Sequence, residues 1–343
     1  MKPFDLEAHR GGRDARPENT LFSYAYAIEL GATTIECDMQ LTADGEIVLS
    51  HNPCLNPDLT LDPQGRRVVQ GAHFFTDMTL EQVRAFDVGH MDPATEYYQL
   101  HGRTQVPADA AVPTLRELFQ LVKDSGNPDV CMNIETKAYP DPALGVVYEK
   151  SMDKEVCLAR FLALVREFGF EERVILQSFD WSTLVRMKEL EPRIRTSALY
   201  SCQPAWGPGG DTLLPYPDRP SPWLAGLDLK DYRYDPVAAA HAIRADIISP
   251  YFAELSKDQV DRAHGWGMEV IPWTVNDPRD MDMLIAMGVD GIISDQPWVL
   301  RAVLEKHGLP LLPPWPFPSP YHLEPDHLEA GSAAPAGGRD ASH

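Results

Sequence analysis

The sequence predicts a TIM-type (β/α)8 barrel with an insertion after the second strand. Three observations predict it. Strand-like and helix-like segments alternate from Phe4 to a last helix over 297–307, and strict β–α alternation implies parallel strands. There are eight such units once a short hairpin partner is set aside, and eight fit a closed barrel better than an open sheet. His9, Glu36, Asp38, Glu135, Gln177 and Trp273 all fall at or near the C-terminal ends of their strands, the face on which such barrels do their chemistry.

In order, Phe4 to Arg10 reads as strand one. Asn19 or Thr20 then caps a helix through Leu30, with Leu21, Ala25 and Ile28 as its apolar stripe and Gly31 as its stop. Strand two spans 33–41, and Asp44-Gly45 turns the chain into the hairpin partner 46–51, which returns His51 towards strand two. Residues 53–112 break the rhythm. They are rich in Pro, Asp and aromatic residues, hold one short helix begun by the capping box Thr79-x-x-Gln82, and are too long for an ordinary loop. From Thr114 the alternation resumes: helix 115–124 and strand 130–137, helix 153–168 and strand 173–179, helix 181–190 and strand 194–200. An irregular Pro/Gly/Trp loop over 202–226 comes next, carrying Trp206, Leu213, Leu214, Tyr216 and Trp223. Helix 235–244, strand 246–250, helix 257–266 and strand 268–275 follow. A helix begun by Asp277-Pro278, strand 290–294 and helix 297–307 close the set.

The barrel therefore takes residues 1–308 and contains the insertion 53–112. Residues 309–343 form a Pro-rich tail, at least partly disordered: 320–343 hold little to order them, whereas 309–319 pack on the barrel to hide Trp315 and Phe317.

The 343 residues, 44% hydrophobic, can bury one large core. The net charge of −21 disfavours nucleic acid and stable association with anionic membranes. Nothing in the chain specifies an oligomeric state. Five cysteines, at 37, 54, 131, 157 and 202, form no C-x-x-C pair. Strand parity turns Cys37 outward and Cys131 inward, so reduced thiols and a cytoplasmic address fit best. No apolar stretch near the start reads as a signal peptide, and no run reaches membrane-spanning length.

Glu36 and Asp38 are two residues apart and share one face of a strand. Paired inward carboxylates need a compensating positive charge. With Glu135 on the neighbouring strand they make a hard-oxygen trio suited to one divalent cation, Mg²⁺ or Ca²⁺, and without soft ligands. A histidine near a strand end is usually structural. His9 departs from that rule because Arg10 follows it and carboxylates stand on the next strands; His51 joins it through the hairpin. His73, His90, His101, His241 and His264 read as structural. Arg10 and Lys137 either balance the carboxylates or hold an anion, and both roles are compatible. Trp273 serves as barrel packing or as a ring facing the ligand. Glu7, turned inward by its parity with His9, pairs with Arg10 or carries a proton.

These residues lie within a set of short motifs: His9-Arg10-Gly11, Pro17-Glu18-Asn19-Thr20, Glu36-Cys37-Asp38, Thr42-Ala43-Asp44-Gly45, His51-Asn52-Pro53 and Glu135-Thr136-Lys137. Later come Gln177-Ser178-Phe179, Trp273-Thr274-Val275-Asn276 and Asp290-Gly291-Ile292-Ile293-Ser294-Asp295. In order and spacing the set resembles the glycerophosphodiester phosphodiesterase family over residues 4–308; no single motif is specific, but the set is. The resemblance implies metal-dependent hydrolysis of a small glycerophosphodiester to glycerol 3-phosphate and an alcohol. It implies His9 and His51 as general acid and base, and Arg10, Lys137 and Trp273 as substrate contacts. Glu36, Asp38 and Glu135 would be the metal ligands. One position departs from the family pattern: Asn52 stands where Asp usually follows the second histidine, which leaves His51 without an adjacent carboxylate. Rival readings on the same barrel are a lysophospholipase D or a cyclising phospholipase, and, from another class, a non-catalytic barrel that binds phosphorylated ligands.

Overall fold

The computed structural model describes residues 2–140, 150–204, 210–215 and 219–324. Nine strands appear among them: β1 (Asp5–Ala8), β2 (Thr34–Leu41), β3 (Ile47–Leu49), β4 (Cys131–Thr136), β5 (Val174–Ser178), β6 (Arg195–Tyr200), β7 (Ile247–Pro250), β8 (Glu269–Val270) and β9 (Gly291–Ser294). Eight are parallel, in the spatial order β8-β7-β6-β5-β4-β2-β1-β9, and β3 pairs antiparallel with β2. The ends of that row meet. Asp290 donates to the Val270 carbonyl, Ile293 to Pro272 and Val275 to Ile293, each at 3.0 Å. This is the expected (β/α)8 barrel.

Helices alternate with the strands: α1 (Leu21–Leu30), α2 (Leu80–Val83) inside the insertion, α3 (Leu115–Asp124), α4 (Lys154–Phe168), α5 (Trp181–Leu190), α6 (Pro236–Ala242), α7 (Lys257–Gly265), α8 (Pro278–Met287) and α9 (Pro297–Lys306). Their starts follow the sequence signals. Thr20, Thr79, Thr114 and Ser256 close capping boxes, and Asp153, Asp180, Asp235 and Asp277 cap through their carboxylates.

Two elements differ from expectation. The first strand stops at Ala8, because Arg10, Gly11 and Gly12 take left-handed backbone with φ of 50°, 81° and 94°. A side chain at Gly11 would meet the Ser23 hydroxyl at 2.4 Å, so the turn passes directly under the start of α1. The strand expected over 268–275 is a regular ladder only at Glu269–Val270. Pro272 has no N–H to give, yet Ile271 and Trp273 still donate to Ile248 and Pro250 at 3.1 Å.

Apolar side chains fill two layers. The larger lies between strands and helices; the smaller is inside the barrel, where Ile175, Leu199, Ile247, Ile271, Trp273 and Ile293 pack together. The inward positions of β1, β2 and β4 are instead polar: Glu7, Glu36, Asp38, Asn133 and Glu135. One side of the lumen is thus apolar and the other charged, and the site forms where they meet. The insertion has a core of its own around Leu55, Val68, Phe75 and Val83.

Residues 309–324 run extended along the outside of the barrel. Pro310 accepts from Phe4 at 3.0 Å, and Trp315 donates its backbone N–H to Glu29 and its indole to Ser125 at 2.9 Å. Order continues past the point the composition suggests. Tyr321 packs edge-on against Phe22 at 5.3 Å, and Arg16 donates to the Leu323 carbonyl at 2.7 Å. The expectation for residues 325–343 lies outside the described residues, as do Trp206 and Tyr216. All five cysteines are free, with Cys37 buried and Cys131 half-buried. Among the described residues no helix is long and apolar enough to cross a membrane.

Candidate active site

The barrel's C-terminal mouth holds a cavity of about 280 Å³, lined among others by His9, Arg10, Glu36, His51, Glu135, Lys137 and Trp273. Asp38 lies just behind that lining. All eight residues singled out from the sequence therefore converge.

Register explains the carboxylates. On adjacent parallel strands Asp38 pairs with Glu135, and Glu36 with Asn133, so the three acids become neighbours with oxygens within 4.8 Å of one another. Each answers differently to burial. Burial and then Asp38 push the Glu36 carboxyl well above its usual range, although the Arg10 backbone N–H donates to it at 2.8 Å. Burial lifts Glu135 to about 7 against the pull of Lys137, whose ammonium lies 2.9 Å away. Burial acts on Asp38 too, but Lys137, Arg10 and His51 when charged outweigh it and hold that carboxyl below its usual range. Asp38 Oδ1 is buried without a hydrogen bond. An orphaned carboxylate oxygen, two carboxyls lifted chiefly by burial and an all-oxygen donor set fit a hard divalent cation.

His9 leaves β1 on the tight turn and points Nδ1 at Asp295 Oδ1, 2.5 Å away. The carboxylate can only accept, so Nδ1 carries the hydrogen and Nε2 is left facing Glu36 at 3.9 Å. Burial lowers His9 to about 4, with Asp295 opposing. His51 is held alike by a different partner. Its Nδ1 donates to Asn52 Oδ1 at 2.9 Å, and Gln40 donates to its carbonyl at 3.3 Å. The amide at 52 therefore still fixes the tautomer. It supplies no charge, and burial with Arg10 and Lys137 keeps His51 well below its usual pKa.

Arg10 is paired but not saturated: Nη1 donates to Glu18 at 2.9 Å, while Nε stands 3.5 Å from Asp38 without a hydrogen bond. Lys137 lies between Glu135 and Asp38. Charge balance is thus observed for both cations, at the edge of a cavity where an anion can also meet them. Trp273 is packed and faces the cavity at once: its indole N–H donates to Ser249 at 2.9 Å while its ring lines the cavity beside Phe179, 5.4 Å away. Glu7 does not pair with Arg10. It accepts from Asn133 at 2.8 Å, deep in the lumen, and burial raises its carboxyl well above the usual range.

Several partners escaped the sequence reading. Asp295 orients His9 and is gripped by Arg13 and by Asn276 at 2.7 Å. Asn19 donates to Asp38 at 2.9 Å, so the Pro17-Glu18-Asn19-Thr20 motif serves the site as well as starting α1. Asp295 ends a quoted motif, and its charge in an apolar run was the available signal. Tyr97 and His101 lie in the insertion, where no periodicity marks them.

Fold and site together define a (β/α)8 barrel with a candidate cation centre at its C-terminal mouth, flanked by two tethered histidines. The model of the glycerophosphoryl diester phosphodiesterase family matches residues 9–299, and the chain belongs to that family of phosphoric diester hydrolases. A glycerophosphodiester phosphodiesterase from Caldanaerobacter subterraneus subsp. tengcongensis is 30% identical over 301 residues, covering 88% of this chain and 98% of that protein. The crystal structure of a candidate glycerophosphoryl diester phosphodiesterase from Silicibacter pomeroyi is 31% identical with a TM-score of 0.75, covering 89% of this chain and 94% of that one.

Proposed function

We propose that the protein hydrolyses small glycerophosphodiesters to glycerol 3-phosphate and an alcohol, with Glu36, Asp38 and Glu135 holding one divalent cation, Mg²⁺ or Ca²⁺. The observation that carries this is the meeting of the acidic trio, two cations and two tethered histidines in one cavity of a chain from this family. A cation held by these three carboxylates would supply Lewis-acid polarisation and charge neutralisation to the phosphodiester. The protein's own residues do the rest. Arg10 and Lys137, kept charged by their carboxylates, give a strongly acidic protein a local centre to which an anion is drawn. His9 and His51 expose Nε2 because Asp295 and Asn52 occupy Nδ1, so each ring can take or give one proton there.

Following the family resemblance, the substrate's 2-hydroxyl attacks phosphorus and the bond to the departing alcohol breaks. One histidine takes the hydroxyl proton and the other protonates the leaving oxygen. Water then opens the cyclic phosphate with the two roles reversed, restoring the 2-hydroxyl. An intramolecular nucleophile avoids the entropic cost of positioning water in the first step. A 2-deoxy analogue should bind without being cleaved, and brisk cleavage of it would mean direct attack by water.

The rings of Phe179, Trp223 and Trp273 along one wall favour one variant of this reading, a lysophospholipase D that takes an apolar substrate. Trp223 is buried and Leu213 packs against the core, leaving Leu214 as the exposed apolar residue of the described part of that loop. A panel from glycerophosphocholine to lysophosphatidylcholine, with products identified by phosphorus NMR, decides. Glycerol 3-phosphate from glycerophosphocholine supports the proposal. Turnover of the lysolipid alone transfers the assignment to the variant, and a stable cyclic phosphate points to a cyclising phospholipase. No turnover of any member leaves a phospholigand-binding barrel. The cytoplasmic address remains part of the proposal, resting on the reduced cysteines.

A further inference from the structure

The insertion sends two side chains into the polar network behind the site. The Tyr97 hydroxyl donates to Glu18 and accepts from Arg10 at 3.4 Å and Arg13 at 3.2 Å. His101, which packs against the Tyr97 ring at 4.9 Å, bonds through Nδ1 to Asp14 at 2.7 Å and stands 3.9 Å from Asp295 Oδ2. Arg13 joins Tyr97 to the centre, because it grips Asp295 with two donors at 2.6 Å and 3.1 Å, while His101 approaches Asp295 itself. Asp295 in turn holds His9. The backbone is fastened at the same place: Gln105 donates to the Arg13 carbonyl at 2.6 Å, Thr104 to Asp14 at 2.7 Å and Val106 to Ala15 at 3.0 Å.

Resting on the hydrolytic reading above, we propose that Tyr97 and His101 are positioning residues: they fix Arg10, Arg13 and Asp295, and through Asp295 the direction in which His9 presents Nε2. Neither touches the cavity, so they act through other groups. The network is buried, and leaving a buried polar group without a partner costs enough free energy to favour a new arrangement. Losing the Tyr97 hydroxyl frees Arg13 to tilt towards Glu18, and Asp295 follows it. The insertion thereby becomes part of the active centre and not only a cover.

Two readouts test this. In the free protein the His9 Nδ1 proton, bonded to Asp295, should give a far-downfield proton resonance. Tyr97→Phe and His101→Asn should each shift it, and Asp295→Asn should remove it. In glycerophosphocholine turnover each of the two variants should lower kcat about tenfold with KM nearly constant. Combined with Asp295→Asn, each should add no more than about a twofold loss, because the path to His9 is already cut. An unmoved resonance, or losses that multiply with that of Asp295→Asn, overturns the proposal. A purely structural role would lower the melting temperature without producing the non-additivity. Should His101→Asn fail to fold, Tyr97→Phe, which removes a single oxygen, carries both readouts. If the wild-type chain leaves glycerophosphocholine intact, the substrate reading falls, and the resonance still decides the positioning role.

Discussion

At His51 a neutral amide takes the place of the carboxylate expected from the family pattern, and this predicts a specific pH response. Asn52 Oδ1 already accepts the Nδ1 hydrogen at 2.9 Å, so Asn52→Asp should keep the geometry and add a charge. A carboxylate at that distance favours imidazolium, so the His51 pKa should rise by about one unit or more. The matching limb of the kcat/KM profile should move to higher pH; an unmoved profile would mean that His51 does not titrate in the rate-limiting step. Removing either ring should cost much more. His9→Ala and His51→Ala should each lower kcat at least about a hundredfold, measured on folded variants with unchanged circular dichroism. The acids, cations and histidines of this site were legible in the sequence because chemistry restricts which residue types can bind a cation or move a proton. Asp295 and Tyr97 were not. Their roles are set by contacts 286 and 79 positions away in the chain, to His9 and Glu18, and no local pattern encodes those.

Among the elements, the β–α order was readable because caps, glycine stops and apolar stripes are local signals. Boundaries shifted where a non-local fact intervened. Arg10 leaves the strand because Gly11 and Gly12 allow a turn beneath Ser23, and the eighth strand is shortened by Pro272. Gly31 carries a double demand, ending α1 with φ 79° and lying where a Cβ would meet the Pro313 carbonyl at 2.5 Å. Gly31→Ala should therefore destabilise the fold by roughly 1–3 kcal/mol, through backbone strain and displacement of the strap over 309–324. Urea unfolding measures this, and a variant as stable as wild type would show that the strap contributes nothing there. The insertion was recognised by its broken rhythm, but its docking beside Arg13 depends on tertiary packing alone.

For the molecule as a whole, the acidic centre implies that stability and function oppose each other until a cation binds. Folding lifts the Glu135 carboxyl from its ordinary 4.5 to about 7, chiefly through burial. Its neutral form is the one the fold favours, so its contribution is complete below about 4.5 and is lost as pH rises through about 7. With both ends of that shift, the loss amounts to up to about 3 kcal/mol. In chelator, wild type should lose stability relative to Glu135→Gln between pH 5 and 8. The His9 contribution runs the other way, from about 6.5 down to about 4, and cancels in that difference. Added Mg²⁺ or Ca²⁺ should raise the melting temperature of wild type and not of the variant.

We propose that this barrel cleaves glycerophosphodiesters with a divalent cation at Glu36, Asp38 and Glu135. The most direct test is glycerol 3-phosphate release from glycerophosphocholine by metal-stripped protein, titrated with Mg²⁺ and with Ca²⁺ and then returned to excess chelator. No product is expected in chelator, full turnover should return with at least one of the two ions, and neither ion should restore it in Glu36→Ala or Asp38→Ala variants that remain folded. Undiminished release of glycerol 3-phosphate in excess chelator would contradict the proposal.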